Sequence, residues 1–245
     1  MKKFIIIVFN TLSIIISDAA FSQDIAIVGT GRMGQALGER LQEIGHRIHY
    51  GSRTPNSKKE LLKNIPSEVT TIARAIRSGD IIILAVPWLA LEGLANKYKK
   101  SISTKIIIDV TNAPLRALSP ENKLAVGSSA GELLQQWLPQ ARVVKAFNTV
   151  GYHIIRYPKS AQGPVTVPIV GNDEKAKLLV ARLTQSMGFE TSILGNIKHA
   201  HTLEGMANLY FTPYAAGNFD EAFEYYFRKG TAPSGLKKSK VRQAN

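Results

Sequence analysis

Asp24-Ile25-Ala26-Ile27-Val28-Gly29-Thr30-Gly31-Arg32-Met33-Gly34 is the stretch that decides the fold of this chain. Four consecutive apolar residues, Ile25 to Val28, read as a strand buried on both faces. The glycines after it form a G-x-G-x-x-G that opens a helical stretch from about Arg32 to Ile44, closed by Gly45. Glycines in that spacing recur by chance, and the strand before and helix after them are the context that gives them meaning. Gly29 then permits the tight turn, Gly31 lets the backbone approach a pyrophosphate, and Gly34, with Gly38 one turn on, lets the helix lie close to the sheet. The free amides at the helix start meet phosphate charge. The expectation is a dinucleotide-binding unit.

Outward from this unit, short β-type runs alternate with helical ones. Strands are expected at Arg47–Tyr50, Val69–Ile72, Ile81–Val86, Lys105–Val110, Arg142–Phe147, Val165–Val170 and Phe189–Leu194. Helices are expected near Ala73–Ser78, Leu89–Lys100, Ala130–Leu138 and Asp173–Met187, with one or two more over Ile197–Arg228. That order predicts an α/β fold: a Rossmann-type, doubly wound, mostly parallel sheet with a smaller C-terminal segment passing from α/β to helical. Pro158, Gly163, Pro164 and Pro168 crowd one loop, so the expected organisation is a nucleotide-binding domain over 23–160, a substrate-cleft segment over 161–230 and a basic flexible tail over 231–245.

Composition agrees with a globular chain. The 245 residues are 44% hydrophobic and 20% charged, which excludes a disordered or collagen-like chain, and the absence of cysteine excludes disulfides, thiolate metal sites and cysteine nucleophiles. The net charge of +13 is not gathered into a nucleic-acid motif, so no nucleic acid is expected, and the positive balance suits an anionic small molecule or simply a basic proteome. Lys2 and Lys3 precede the apolar stretch Phe4–Ile16, shorter than the ~20 residues of a membrane span, and Ala20-Phe21-Ser22 has the small-residue spacing of a cleavage site. Residues 1–22 therefore read as a signal peptide and the mature chain as exported (periplasmic); an uncleaved anchor or a misassigned start, with a cytoplasmic chain, is the other reading. No transmembrane domain is expected beyond that segment.

The choice between NAD and NADP is made at the end of the second strand. An NAD site offers a carboxylate there, about 20 residues past the glycines. This chain has Tyr50-Gly51-Ser52-Arg53-Thr54 instead. Arg53 can form charge-assisted bonds to a 2′-phosphate, Ser52 and Thr54 can donate hydroxyls, and Lys58 and Lys59 add positive field. NADP(H) is the expected cofactor.

Two further strand tips, Ala85-Val86-Pro87-Trp88 and Thr111-Asn112-Ala113-Pro114, fall at the carboxyl edge where doubly wound sheets bind ligands. Ala85, Val86 and Pro87 can pack on the nicotinamide ribose with Asn112 beside them, and Asn148-Thr149 supplies another polar tip; ordinary strand termination explains each as well. No residue stands out as acid, base or nucleophile, so no catalytic residue is assigned. His199 and His201 read as helix-start residues with no ligand cluster around them, and no metal is assigned. Asp109, inside an apolar strand, can anchor a loop amide. Hydride transfer between two rings asks little proton chemistry of a protein.

Taken together, Ile27-Val28-Gly29-Thr30-Gly31-Arg32-Met33-Gly34, Gly51-Ser52-Arg53, Ala85-Val86-Pro87-Trp88, Asp109-Val110-Thr111-Asn112-Ala113-Pro114 and Val144-Lys145-Ala146-Phe147-Asn148-Thr149-Val150-Gly151 resemble the NADP oxidoreductases that work with coenzyme F420. Similar segments occur in the cytosolic domain of the STEAP metalloreductases. The resemblance covers roughly residues 24 to 228. It implies that Thr30, Arg32 and Met33 contact the NADP phosphates, that Ser52 and Arg53 hold the 2′-phosphate, and that Ala85, Val86 and Pro87 line the nicotinamide site. It also implies a hydride passed between nicotinamide and a deazaflavin (coenzyme F420) or a flavin as co-substrate, in a cleft closed by the C-terminal segment.

Two other functions remain open at this level. One is an imino-acid or hydroxyacid reductase, although Lys198 is followed four positions later by Thr202 and not by the asparagine of the Lys-x-x-x-Asn pair in such hydroxyacid enzymes. The other is a non-catalytic NADP-binding redox sensor or electron-transfer partner. Phe219, Phe223, Tyr225, Tyr226 and Phe227, expected on a C-terminal helix, stand either to pair protomers into a homodimer or to cover the protein's own sheet.

Overall fold

The first strand described is buried on both faces. In the computed structural model, which describes residues 22–59, 67–113, 128–218, 223–228 and 230, Ile25, Ala26, Ile27 and Val28 all have 0% exposure. The two expectations at the termini, the signal peptide over 1–22 and the tail over 231–245, fall almost wholly outside the described residues, as do Pro114 and Phe219.

Among the described residues eight strands form one sheet. In chain order the elements are β1 (Asp24–Val28), α1 (Arg32–Glu43), β2 (Arg47–Ser52), α2 (Pro55–Lys59), β3 (Glu68–Thr71), α3 (Ile72–Ser78), β4 (Ile81–Leu84), α4 (Leu91–Ile102), β5 (Ile106–Asp109), α5 (Ala130–Trp137), β6 (Arg142–Lys145), α6 (Tyr152–Arg156), β7 (Thr166–Gly171), α7 (Glu174–Ser186), β8 (Glu190–Ile193), α8 (Ala200–Tyr210) and α9 (Thr212–Ala215). The spatial order is β3-β2-β1-β4-β5-β6-β7-β8, all parallel except where β7 meets β6. This is the doubly wound architecture read from the sequence, its order reversing between β1 and β4.

Alternation along β1 shows how the layers are built. Ile25 and Ile27 face a core shared with Leu37 and Leu41 of α1, Ile154 and Ile155 of α6, and Val180 of α7. Ala26 and Val28 face the opposite core, with Ile76 of α3, Leu91 of α4, Leu134 of α5 and Leu203 of α8. Each fully buried Ile or Leu contributes ~1.5–3 kcal/mol, so both faces must be covered for the sheet to persist.

The first core also contains Val167 and Ile169 of β7 and Phe189 next to β8. Of the loop expected at 156–168, only residues 157–165 connect α6 to β7 within one continuous sheet, while Pro168 lies inside the buried strand β7. Several local features differ from the expectation, the unexpected helix α2 among them, and two of them fix contacts between distant parts of the chain. Tyr152–Arg156 is a short helix, locked to α1 by the two-pronged ion pair of Arg156 with Glu39, whose Nη2 to Oε1 distance is 2.9 Å. Residues 223–228 are not helical: the Thr166 amide donates to the Tyr225 carbonyl at 2.8 Å, and the Phe227 amide donates to Thr166 Oγ1 at 2.9 Å. Those bonds hold the aromatic segment extended beside the start of β7.

Candidate functional site

Gly29 leaves β1 with φ +114, and a Cβ there would lie 2.2 Å from the Ala85 carbonyl oxygen, so only glycine fits between the tips of β1 and β4. A Cβ at Gly34 would meet the Gly29 carbonyl oxygen at 2.1 Å, which lets α1 start directly against the turn. Gly31 differs from both. It is the N-cap of α1 with φ −76, no side chain caps the helix, no acidic residue lies in the first turn, and a Cβ at Gly31 would meet nothing within 4 Å. The start of α1 thus presents unpaired amides to open space. That is the arrangement an anion requires, and it fits a dinucleotide's pyrophosphate. Thr30 is fixed by its carbonyl, which accepts from Gln35 Nε2 at 2.8 Å, while Arg32 projects over the Tyr152 ring at 5.6 Å.

At the tip of β2, Ser52 is buried and its Oγ accepts the Thr54 amide at 3.1 Å, folding the turn that exposes Arg53 and Thr54. Arg53 has no ion pair among the described residues. Lys58 adds a second cation, and the carboxylates of Asp24 and Glu68, on the strands flanking β2, sit toward its other end, engaged with Arg47, His49 and Arg74. The site is thus built for added negative charge.

The tips of β4 and β5 converge on a cavity of about 470 Å³. Met33, Ala85, Val86, Pro87, Trp88, Val110, Thr111 and Asn112 line it from the sheet side, and Asn208 and Phe211, at the end of α8, line it from the other. A hollow of about 430 Å³ beside Gln135 and Arg142 lies at the opposite edge of the parallel strands, away from these tips. Of the expected residues, Met33, Ala85, Val86, Pro87 and Asn112 therefore meet in one place. Asn148 and Thr149 are only 3% and 0% exposed and do not line the cavity. Asn148 stands behind Asn112: its Nδ2 donates to Asn112 Oδ1 at 3.0 Å and to the Leu203 carbonyl at 2.9 Å, while Asn112 Nδ2 donates to the Asn148 carbonyl at 2.9 Å. The chain makes that turn through Phe147, whose φ of +61 is rare for a bulky residue and marks a backbone held by its surroundings.

Behind the cavity lies a buried ionic network. Lys145 Nζ, 0% exposed, lies 2.8 Å from both Asp109 Oδ2 and Glu204 Oε1 and donates to the Thr111 carbonyl at 2.7 Å. Burial alone would lower the Lys145 ammonium, but the two carboxylates outweigh it and hold the group above its ordinary value. Asp109 Oδ1 accepts from the amide and hydroxyl of Thr111, at 2.9 and 2.7 Å, which is the loop anchoring expected of it. Glu204 Oε2 accepts from the amides of Ala113 and Ala130, and Oε1 from that of Gly131. Sequence reading missed Lys145 and Glu204 as partners, and missed Asn208 and Phe211 as cavity residues. The one signal for the latter pair was that the C-terminal segment should close the cleft. His201 Nδ1 lies 2.6 Å from the Lys198 carbonyl, and His199 stands at the N-cap of α8, so both sit at a helix start.

The fold and the relatives that this chain resembles are those of Rossmann-type NADP-dependent oxidoreductases. Residues 24–113 match the family described as NADP oxidoreductase coenzyme F420-dependent, the family that the sequence resembles. The F420-dependent NADP reductase of Methanocaldococcus jannaschii is 28% identical over 208 residues, covering 76% of this chain and 89% of that protein. Metalloreductase STEAP3 of Rattus norvegicus is 28% identical over 185 residues, 74% of this chain, which spans only 36% of that protein's length. Among solved structures, that of a putative F420-dependent NADP reductase from Arthrobacter sp. FB24 superposes with a TM-score of 0.74 at 25% identity, over 84% of this chain and 100% of the other. The imine reductase from Pseudomonas sp., at 16% identity and a TM-score of 0.58, shares the fold. Among the described residues no helix is long and apolar enough to cross a membrane.

Proposed function

We propose that this protein transfers a hydride between NADP(H) and a deazaflavin or flavin-like ring bound in the 470 Å³ cavity. One observation carries the reading: none of the described residues lining that cavity has an ionisable side chain. Proton-coupled reductions of imines or keto acids need a positioned proton donor, whereas transfer between stacked rings needs alignment and exclusion of water. The bound nicotinamide would supply the hydride chemistry. The glycine loop and the amides of α1 would hold the pyrophosphate, Ser52, Arg53 and Thr54 the 2′-phosphate, and Ala85, Val86 and Pro87 one face of the ribose and ring. Trp88 and Phe211 supply apolar walls, and Asn112 and Asn208 the polar contacts that fix orientation. The match to the F420-dependent family and the archaeal reductase supports a deazaflavin as the acceptor.

Anaerobic stopped-flow absorbance with NADPH and NADH against a deazaflavin and against FMN tests the reading. Rapid deazaflavin reduction with NADPH and little with NADH is expected. Tight NADPH binding with no oxidation by either acceptor would overturn it in favour of a sensor or electron-transfer partner. From its sequence we further propose that residues 1–22 direct export, so that the mature chain begins near Gln23; mass spectrometry of the protein expressed in full should find that terminus, and a retained Met1 would refute it.

A further inference from the structure

Asn112 reaches the cleft with both ends of its amide engaged from behind. Its Nδ2 donates to the main-chain carbonyl of Asn148 at 2.9 Å, and its Oδ1 accepts from Asn148 Nδ2 at 3.0 Å. Asn148 Nδ2 gives its other hydrogen to the Leu203 carbonyl at 2.9 Å. A main-chain carbonyl can only accept, so the nitrogen of the Asn148 amide must face Leu203 and Asn112, and the nitrogen of the Asn112 amide must face the Asn148 carbonyl. Each assignment enforces the other. Asn112, partly exposed on the cavity wall, is left with one Nδ2 hydrogen and one Oδ1 lone pair that no described residue takes.

The fold keeps this pair against two local costs. Phe147, 0% exposed, holds its φ of +61 just before Asn148, and Asn148 Oδ1 is buried without a hydrogen-bond partner. The bond to Leu203 serves the seating of α8, whereas the two bonds to Asn112 act on a side chain of the cleft wall. We propose that Asn148 is a positioning residue that locks the Asn112 amide in one orientation, in which it hydrogen-bonds the carboxamide of the bound nicotinamide; this rests on the reading that the cavity takes the nicotinamide. A carboxamide offers both a donor and an acceptor, and the locked Asn112 has one of each to give. Preorganisation spares Asn112 the loss of side-chain freedom on binding.

The test compares, by calorimetry on the full chain, the binding of NADPH with that of 2′-phospho-ADP-ribose, which keeps the phosphates and adenosine and lacks the nicotinamide. In Asn148→Ala the Kd of NADPH should rise about tenfold, the scale of a hydrogen bond, with that of 2′-phospho-ADP-ribose nearly unchanged. Asn112→Ala should give the same pattern, and the double variant no more than either single one. Equal losses for the two ligands in Asn148→Ala would make that residue a support of α8 alone, and additive losses in the double variant would show that it acts without Asn112; either overturns the proposal. Native discrimination that survives in Asn148→Ala overturns the positioning role only, whereas a native chain that binds both ligands equally removes the nicotinamide from the cavity and the underlying reading with it. Should Asn148→Ala fail to fold, the NMR signals of the Asn112 side-chain amide in the native chain decide: they should shift with NADPH and not with 2′-phospho-ADP-ribose, and a response to neither, or the same response to both, overturns the proposal.

Discussion

Glu204 of α8 sets its Oε1 2.8 Å from the buried Nζ of Lys145, at the end of β6. Through this contact the C-terminal helical segment is fastened to the functional edge of the sheet, because the same carboxylate also receives the amides of Ala113, Ala130 and Gly131. The wall of the cleft formed by Asn208 and Phe211 depends on where that helix rests.

Removing this carboxylate leaves Lys145 with Asp109 as its one carboxylate beside the Thr111 carbonyl, and orphans three buried amides. Truncating one partner of a buried pair costs roughly 3–5 kcal/mol, so Glu204→Ala should lower the urea midpoint by that equivalent at pH 7. An unchanged midpoint would show that the network is solvated in solution. Because Lys145 is held above its ordinary value, its contribution is fully present at neutral pH and is lost only as pH rises beyond the ordinary lysine range.

The three fingerprint glycines should separate by assay. At Gly31 a Cβ meets open space at a φ of −76, so Gly31→Ala should melt within about 0.5–1 kcal/mol of the native protein, yet lose NADPH binding because the methyl occupies the anion's place. At Gly34 a Cβ would strike the Gly29 carbonyl at 2.1 Å, and Gly34→Ala should lose stability as well as binding. Melting temperatures and fluorescence titrations of both variants decide this. Native NADPH affinity in Gly31→Ala would show that the loop serves only the fold.

How far the sequence could be read follows from the range of each interaction. β1 and its glycine turn were legible because a strand buried on both faces needs a continuous apolar run, and Gly29 needs a positive φ. The tips of β4 and β5 were legible because parallel strands end on one edge. Asn148 and Thr149 were placed at the right tip, but they are buried and do not line the cavity, and the positive φ of Phe147 just before them is reported by no local pattern. The extended course of 223–228 was read as helix because aromatic residues at close spacing suit either state; hydrogen bonds to Thr166, far away in sequence, decide it. The pairing of Lys145 with Glu204 was invisible for the same reason.

Arg53 provides the test of cofactor choice. It is exposed, has no ion pair among the described residues and follows the buried Ser52, whose hydroxyl shapes its turn. Arg53→Ala should weaken NADPH binding by roughly 1–3 kcal/mol, the scale of hydrogen bonds to a charged group, and leave NADH nearly unchanged. Calorimetric titration with both nucleotides measures the difference. Equal losses for the two would remove the 2′-phosphate from this turn.

The half-buried Glu224 should leave a signature in stability against pH. Burial raises its carboxyl from 4.5 to about 7 in the folded chain. Between those values the folded protein holds a proton that the unfolded chain has released. Stability from this group therefore falls as pH rises through the window, the reverse of a salt-bridged carboxylate. Glu224→Gln abolishes the titration while keeping an acceptor for the Tyr210 hydroxyl, so its stability should change less between pH 4.5 and 7 and should gain on the native protein toward pH 8. Urea denaturation of the two proteins at several pH values across that range is the measurement. Parallel profiles would mean that the carboxyl titrates alike in both states, and that solvent reaches Oε2 freely.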